Sequence, residues 1–307
     1  MNYQRDQFID VIFDEAKKNN NIYFLSADFG APALDKFRKE LPNQFFHCGI
    51  SEQHMIDLAV GFALDGNTVF CYAMAPFVSL RCLEQHKCGA SIMDLPICTI
   101  VAGVGVGYAD AGPTHYATED LACLRAMIGS TVYTASDPAI SKLIAEKLVN
   151  KPEFSFVRLD RDPSNNFLPI INNKEINNGF RVFNENNNNK LVILTCGYMY
   201  GIVQSLLKDS IMDNNITVID IINCKPFPKI NKLIQNKDIL IIDEQTSYGG
   251  LSAAVLEFLC DENINANVKR MALPDKHLFE NGGRSKILEI AGLGKSNIAE
   301  QIQVMRS

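Results

Sequence analysis

Short runs of β-branched and aromatic residues recur between helical stretches, and this rhythm leaves little choice of fold class. Ile22–Ser26, Val69–Tyr72, Cys98–Val101, Thr131–Tyr133 and Phe154–Val157 are each of strand length and almost wholly apolar. Strands buried on both faces read this way, and the alternation with helices predicts a parallel sheet covered on both sides. From Ser164 to Lys190 the chain turns Asn-rich, ending in Asn184-Glu185-Asn186-Asn187-Asn188-Asn189, with too little apolar content to pack. The rhythm then resumes with Leu191–Cys196, Ile216–Ile221, Ile239–Asp243 and Val268–Ala272, with a helical stretch at Gly250–Leu259. The expected fold class is α/β, with two parallel-sheet-based domains over residues 1–163 and 191–307 joined by a linker over 164–190. Such a layering hosts many unrelated activities, so function has to be read from sites.

Composition removes several classes of function. A net charge of −6, with Lys and Arg scattered among acids, gives no footprint for a polyanion and argues against nucleic acid. Met1–Lys18 mixes charge with apolar residues at helical spacing, which predicts an amphipathic helix and not a signal peptide. No stretch approaches the roughly 18 uncharged apolar residues of a membrane span. The nine cysteines form no C-x-x-C pair and sit mostly in apolar runs, the pattern of reduced thiols in a cytoplasmic protein. Cys82, His86 and Cys88 are close in sequence but lack a fourth ligand nearby, so helix packing is expected there and no metal site.

Four short features could carry chemistry. Gly103-Val104-Gly105-Val106-Gly107 follows a strand, yet Tyr108 stands where a dinucleotide fingerprint needs its third glycine and no Gly-Lys-Ser/Thr follows. The glycines therefore suggest a tight turn, or a backbone passing close to something flat or bulky. Cys48-Gly49-Ile50-Ser51-Glu52-Gln53-His54 leads into the apolar series Met55, Ile56, Leu58, Ala59, Val60. Ser51 is a candidate N-cap and Glu52 the first helical residue, where an acid commonly just complements the helix dipole. At the mouth of so apolar a helix, however, burial can raise a carboxyl's proton affinity. Asp110-Ala111-Gly112-Pro113-Thr114-His115 places a histidine after a Gly-Pro turn, and Phe77 follows a strand end; either alone is as well explained by packing.

In this order the four features resemble the transketolase family, and particularly its stand-alone C-terminal-section proteins. Ser26-Ala27-Asp28 is similar to the family's S-A-D segment, Gly49 to His54 to its G-I-x-E-x-H segment and Gly112 to His115 to its G-P-T-H turn. Asp243-Glu244-Gln245 to Gly249-Gly250-Leu251 resembles an element of the family's structural and dimerising C-terminal domain. The resemblance implies a thiamine diphosphate pyrimidine-binding domain followed by a transketolase C-terminal domain. It further implies that Glu52 shares a proton with the cofactor's pyrimidine so that its amino group can act as a base. Phe77 would stack on that ring, at about 1–3 kcal/mol by analogy with base stacking, and Asp28 would lie on the thiazolium side. His115 would touch the carbonyl or hydroxyls of a sugar substrate, and Arg158 would grip a sugar phosphate, although a salt bridge at a strand end accounts for Arg158 equally well.

The sequence departs from full-length transketolases at Gly103, Ala111 and Pro32, where the family has a phosphate-contacting histidine, a hydroxyl-reading aspartate and a phosphate-contacting serine. These losses imply an altered substrate, with room left beside Gly103. A diphosphate site also needs a G-D-G start and an asparagine about 30 residues later to hold the divalent ion. Leu64-Asp65-Gly66-Asn67 is the nearest string and lacks the leading glycine. The expectation is a chain silent alone, whose partner, an N-terminal-section transketolase subunit, holds Mg2+ and the diphosphate in an α2β2 heterotetramer. A 2-oxoacid dehydrogenase β chain, a deoxyxylulose-phosphate-synthase-like acyl transferase and a non-catalytic scaffold remnant are the alternatives.

Overall fold

The computed structural model describes residues 2–208 and 215–306. Its strands are β1 (Ile22–Ala27), β2 (Phe45–Gly49), β3 (Thr68–Met74), β4 (Ile97–Ala102), β5 (Thr131–Thr134), β6 (Ser155–Leu159), β7 (Phe180–Phe183), β8 (Leu191–Thr195), β9 (Ile216–Ile221), β10 (Asn223–Lys225), β11 (Asp238–Thr246) and β12 (Val268–Leu273). They form two sheets, ordered β10-β5-β6-β4-β3-β1-β2 and β12-β11-β8-β9-β7. Among the described residues only the strands β10 and β7, each at an edge, run antiparallel to their neighbours. Two parallel-sheet-based α/β domains are therefore present, as the alternation of runs requires.

Three strands escape the sequence reading, each for a physical reason. β2 lies on an edge and is only partly buried, so its composition is mixed. β10 has three residues and crosses back from the second half of the chain to pair with β5, a long-range event with no local signal. β7 lies inside the Asn-rich segment, which also forms the helix Asn173–Asn178 and is thus more than a bare linker. Charge supplies what its composition lacks. The Arg181 guanidinium is buried and bonds Asp137 at 2.7 Å, Asp220 at 2.7 Å and Ser136 at 2.9 Å, so satisfied ionic groups anchor the strand.

One face of the first sheet is covered by the helix Gln4–Ala16, which buries Phe8, Ile9, Ile12 and Phe13 along one side. The other face opens into an apolar core that joins the two sheets, running from Leu25 and Val101 through Leu121 to Leu194, Ile241 and Val255. No helix of the described residues is long and apolar enough to cross a membrane. In the first sheet β4, β3, β1 and β2 are adjacent and parallel, so the segments leaving their carboxyl ends emerge side by side. Open α/β sheets place ligands at such an edge.

Candidate active site

Glu52 opens the helix Glu52–Leu64 directly after β2. That helix buries Met55, Ile56, Ala59 and Ala63, and its apolar packing drags the first-turn acid inward. Glu52 is 6% exposed. Ser51 does not cap the helix as expected; its hydroxyl donates back to the Cys48 carbonyl, tightening the turn that aims Glu52. The carboxylate accepts from Arg81, Nη1 to Oε2 at 2.8 Å, and the Arg81 guanidinium carbon lies 4.4 Å from the centroid of the Phe77 ring. Phe77 meets the His115 ring edge to face at 5.4 Å between centroids. Asp28, Phe29, Ile50, Glu52, Met74, Phe77 and Arg81 line a recess of about 310 Å³.

Asp28 and Phe77 therefore stand with Glu52 around one recess, and His115 reaches it through Phe77. The Asp28 amide donates to the Gly49 carbonyl at 2.9 Å, locking β1 to the turn before Glu52, while its exposed carboxylate lies 3.7 Å from His47 Nε2. His115 ends a single helical turn, Pro113–His115, and its Nδ1 is 2.9 Å from the Thr114 hydroxyl.

Arg158 is not part of this group. It is 3% exposed, and its Nε and Nη2 bond the two Asp120 oxygens at 2.8 and 3.0 Å while Nη1 bonds the Thr134 hydroxyl at 3.1 Å. A guanidinium so engaged offers nothing to a sugar phosphate, and the salt bridge is the reading that the geometry supports. Arg161 lies beyond the end of β6, and its side chain is 37% exposed and pairs with Asp110 on the loop leading to His115. In the sequence Arg158 lies within an apolar strand, whereas Arg161 follows it.

The glycine loop also differs from expectation. At Gly103, φ +84°, an added Cβ would lie 2.0 Å from Tyr108 Cε2, so the space beside the glycine is taken by the tyrosine ring. That ring is held between Phe29, at 6.2 Å edge to face, and the Arg161 guanidinium at 4.4 Å. At Gly105 the close neighbour is Glu244 of the second domain, whose Oε2 would lie 2.3 Å from an added Cβ. The Asp243-Glu244-Gln245 element turns out to hold the first domain's loop from behind. Glu244 accepts from Val106 N at 3.4 Å, and Gln245 accepts from Leu121 N at 3.2 Å and donates to the Ala117 carbonyl at 2.9 Å.

Cys82 and His86 serve the segment that carries Phe77. Cys82 donates to the Phe77 carbonyl at 3.3 Å and His86 Nε2 is 3.0 Å from the Val78 carbonyl, while Cys88 is exposed. Burial pushes the His86 pKa down to about 4, so this imidazole is neutral. Among the described residues no group of three or more His, Cys, Asp or Glu is placed to hold a metal.

Comparison with known proteins decides the family. Residues 4–165 match the family described as transketolase, pyrimidine binding domain, and residues 182–298 match transketolase, C-terminal domain. The chain belongs to the transketolase family. That family depends on thiamine diphosphate. Among its relatives, one subunit of the apulose-4-phosphate transketolase of Phocaeicola vulgatus is 28% identical, with 96% of this chain and 95% of that protein covered. A putative transketolase C-terminal section of Methanocaldococcus jannaschii is 25% identical over 97% of this chain and 94% of that protein. The transketolase of Mus musculus is 29% identical, but this chain spans only 43% of it. A solved split-gene transketolase, an inactive β4 tetramer, shares the fold with a TM-score of 0.83 at 23% identity, covering 99% of this chain and 98% of that one. For a transketolase-family cofactor the recess supplies a buried carboxylate, an aromatic face and the apolar side chains of Ile50 and Met74, which suit a flat, amine-bearing ring.

Proposed function

We propose that this chain is one subunit of a two-chain transketolase-like transferase that moves a two-carbon ketol or acyl unit between sugar-type substrates. The observation that carries the reading is the recess itself, in which a buried Glu52 and the Phe77 ring meet beside His115. When bound, thiamine diphosphate supplies the carbon nucleophile that accepts the two-carbon unit. Glu52 holds a proton at a carboxyl oxygen against the pyrimidine, Phe77 stacks on it, and Asp28 stands at the rim toward the thiazolium side. His115 donates a hydrogen bond to the substrate carbonyl or a hydroxyl. Arg161, partly exposed beside the His115 loop, would exchange its surface pairing with Asp110 for an anionic group of the substrate.

The diphosphate and Mg2+ belong, in this reading, to a cytoplasmic partner chain of the N-terminal-section type, in an α2β2 assembly. Support comes from two relatives, one named as a transketolase subunit and the other as a C-terminal section, that align with this chain nearly end to end. Substrates worth testing are ketose phosphates, including the apulose 4-phosphate for which the first relative is named.

Calorimetric titration tests the proposal. The chain alone is expected to bind thiamine diphosphate weakly, and tight binding with ketol transfer is expected to appear on adding a partner that carries a G-D-G diphosphate domain. Sub-micromolar binding by the chain alone would refute the split site.

A further inference from the structure

We propose that Arg81 is a displaceable stand-in for the cofactor's pyrimidine, occupying its place in the unassembled chain and leaving when the ring enters. The proposal rests on reading the recess as the pyrimidine site, and it adds a device that the reading itself does not contain. Arg81 occupies the two positions assigned to that ring, against Phe77 and against the Glu52 carboxyl, although there it donates where the ring would accept. Its flat guanidinium lies 4.4 Å from the Phe77 centroid, and its Nη1 donates to Glu52 Oε2 at 2.8 Å. A guanidinium suits both roles, because it is planar, stacks on aromatic faces and carries several in-plane donors.

The two partners of this ion pair differ sharply in burial. The Glu52 side chain is 7% exposed and the Arg81 side chain 44%. A buried carboxylate left without a donor is costly, so Glu52 needs a partner before any ligand arrives. Arg81 meets that need from the solvent side and has open water to retreat into. The recess is thereby kept formed while its polar contact is occupied. Cofactor entry replaces a donor on Glu52 with an acceptor: the arginine leaves for water, the carboxylate takes up a proton from solvent and the carboxyl then donates to the ring, which delays full engagement until a ligand can outcompete the arginine.

The probe is free thiamine, which has the pyrimidine but no diphosphate and so needs no partner. Titration into the full-length chain, followed by ligand-detected NMR, compares the wild type with Arg81→Met, which keeps the aliphatic stem and removes the stacking donor. Arg81→Met is expected to bind about tenfold more tightly, the scale of a half-exposed ion pair plus a cation–π contact. In the wild type, the arginine Nε–Hε resonance identified by its loss in Arg81→Met is expected to shift toward a solvent-exchanging position as thiamine saturates. Unchanged or weaker binding by Arg81→Met, or an unmoved resonance at saturation, overturns the stand-in while leaving the recess as a pyrimidine site. Absence of binding by Arg81→Met at millimolar thiamine overturns it too, and titration of the two-chain complex with thiamine diphosphate then judges the site independently. Tight binding that is indifferent to Phe77→Ala places thiamine elsewhere and overturns both.

Discussion

Glu52 owes its chemical interest to position. A first-turn acid on an ordinary surface helix would be solvated, but here the apolar series Met55, Ile56, Ala59 and Ala63 pulls the helix start into the protein. Glu52→Gln retains the volume and one acceptor oxygen but has no carboxyl to share a proton. Ketol transfer by the two-chain complex is expected to fall at least about a hundredfold, the lower range for loss of acid–base catalysis, with unfolding temperature and assembly preserved. Deuterium exchange at the cofactor's reactive carbon measures the step directly, and exchange at the wild-type rate would remove Glu52 from the mechanism. Asp243 shows a different use of a buried acid. Burial pushes its pKa from an ordinary 3.8 up to about 6, against the opposing pull of Arg158 and the Leu251 amide, which donates to Oδ2 at 2.6 Å. Between those values the folded chain holds the proton that the unfolded chain has lost, so stability declines as pH rises across the interval, by roughly 3 kcal/mol in all. Asp243→Asn keeps the acceptor for Leu251 and cannot ionise. Urea denaturation from pH 4 to 7 is expected to show this decline reduced in the variant, and identical pH profiles would show that Asp243 does not titrate in that window.

At the scale of elements, the strands buried on both faces are readable because burial dictates composition, and every run picked out in either half is a strand. Those that escape are held by features outside their own sequence: the edge position of β2, the crossing of β10, and the aspartates that accept Arg181 on β7. The site divides in the same way. Glu52, Phe77, Asp28 and His115 sit in local motifs, and the structure gathers them at adjacent strand ends. Arg81 and Tyr108 have no motif, and spacing does not reveal that Arg158 is paired in the interior whereas Arg161 is paired at the surface. The glycine loop offers the sharpest test of what an element needs. Gly105 has φ +62° and faces Glu244, itself fixed by Arg284, so that an added methyl has nowhere to go. Gly105→Ala is expected to cost about 2 kcal/mol or more, from left-handed backbone strain plus overpacking. Gly112→Ala, at φ +80° with open space around it, should cost about 1 kcal/mol from strain alone. Chemical denaturation separates the two, and equal losses would show that Glu244 yields.

For the whole molecule, the second domain acts as the template on which the first domain's site loop is set. Arg284 is the centre of that contact. It is buried, donates to Asp160 of the first domain at 2.8 and 2.9 Å and to Glu244 Oε1 at 2.8 Å, and lies 3.6 Å from the Tyr198 ring centroid. Glu244 in turn accepts from Val106 and backs Gly105, so the ionic cluster connects the C-terminal domain to the loop that ends at His115. Arg284→Leu leaves two buried carboxylates facing each other without a cation. Breaking such a cluster by removing one member costs about 3–5 kcal/mol, well above the worth of an exposed pair. Burial already raises the Glu244 pKa while Arg284 opposes that rise, so losing Arg284 drives it higher. The variant is therefore expected to be closest to the wild type in acid, where Glu244 can take a proton, and to fall further behind as pH rises. Amide exchange provides the spatial check: Val106 should lose protection more than Leu121, which Gln245 holds separately. A stability loss that is independent of pH, or exchange that rises uniformly through both domains, would mean that Arg284 merely fills space and that the loop is positioned by the first domain alone.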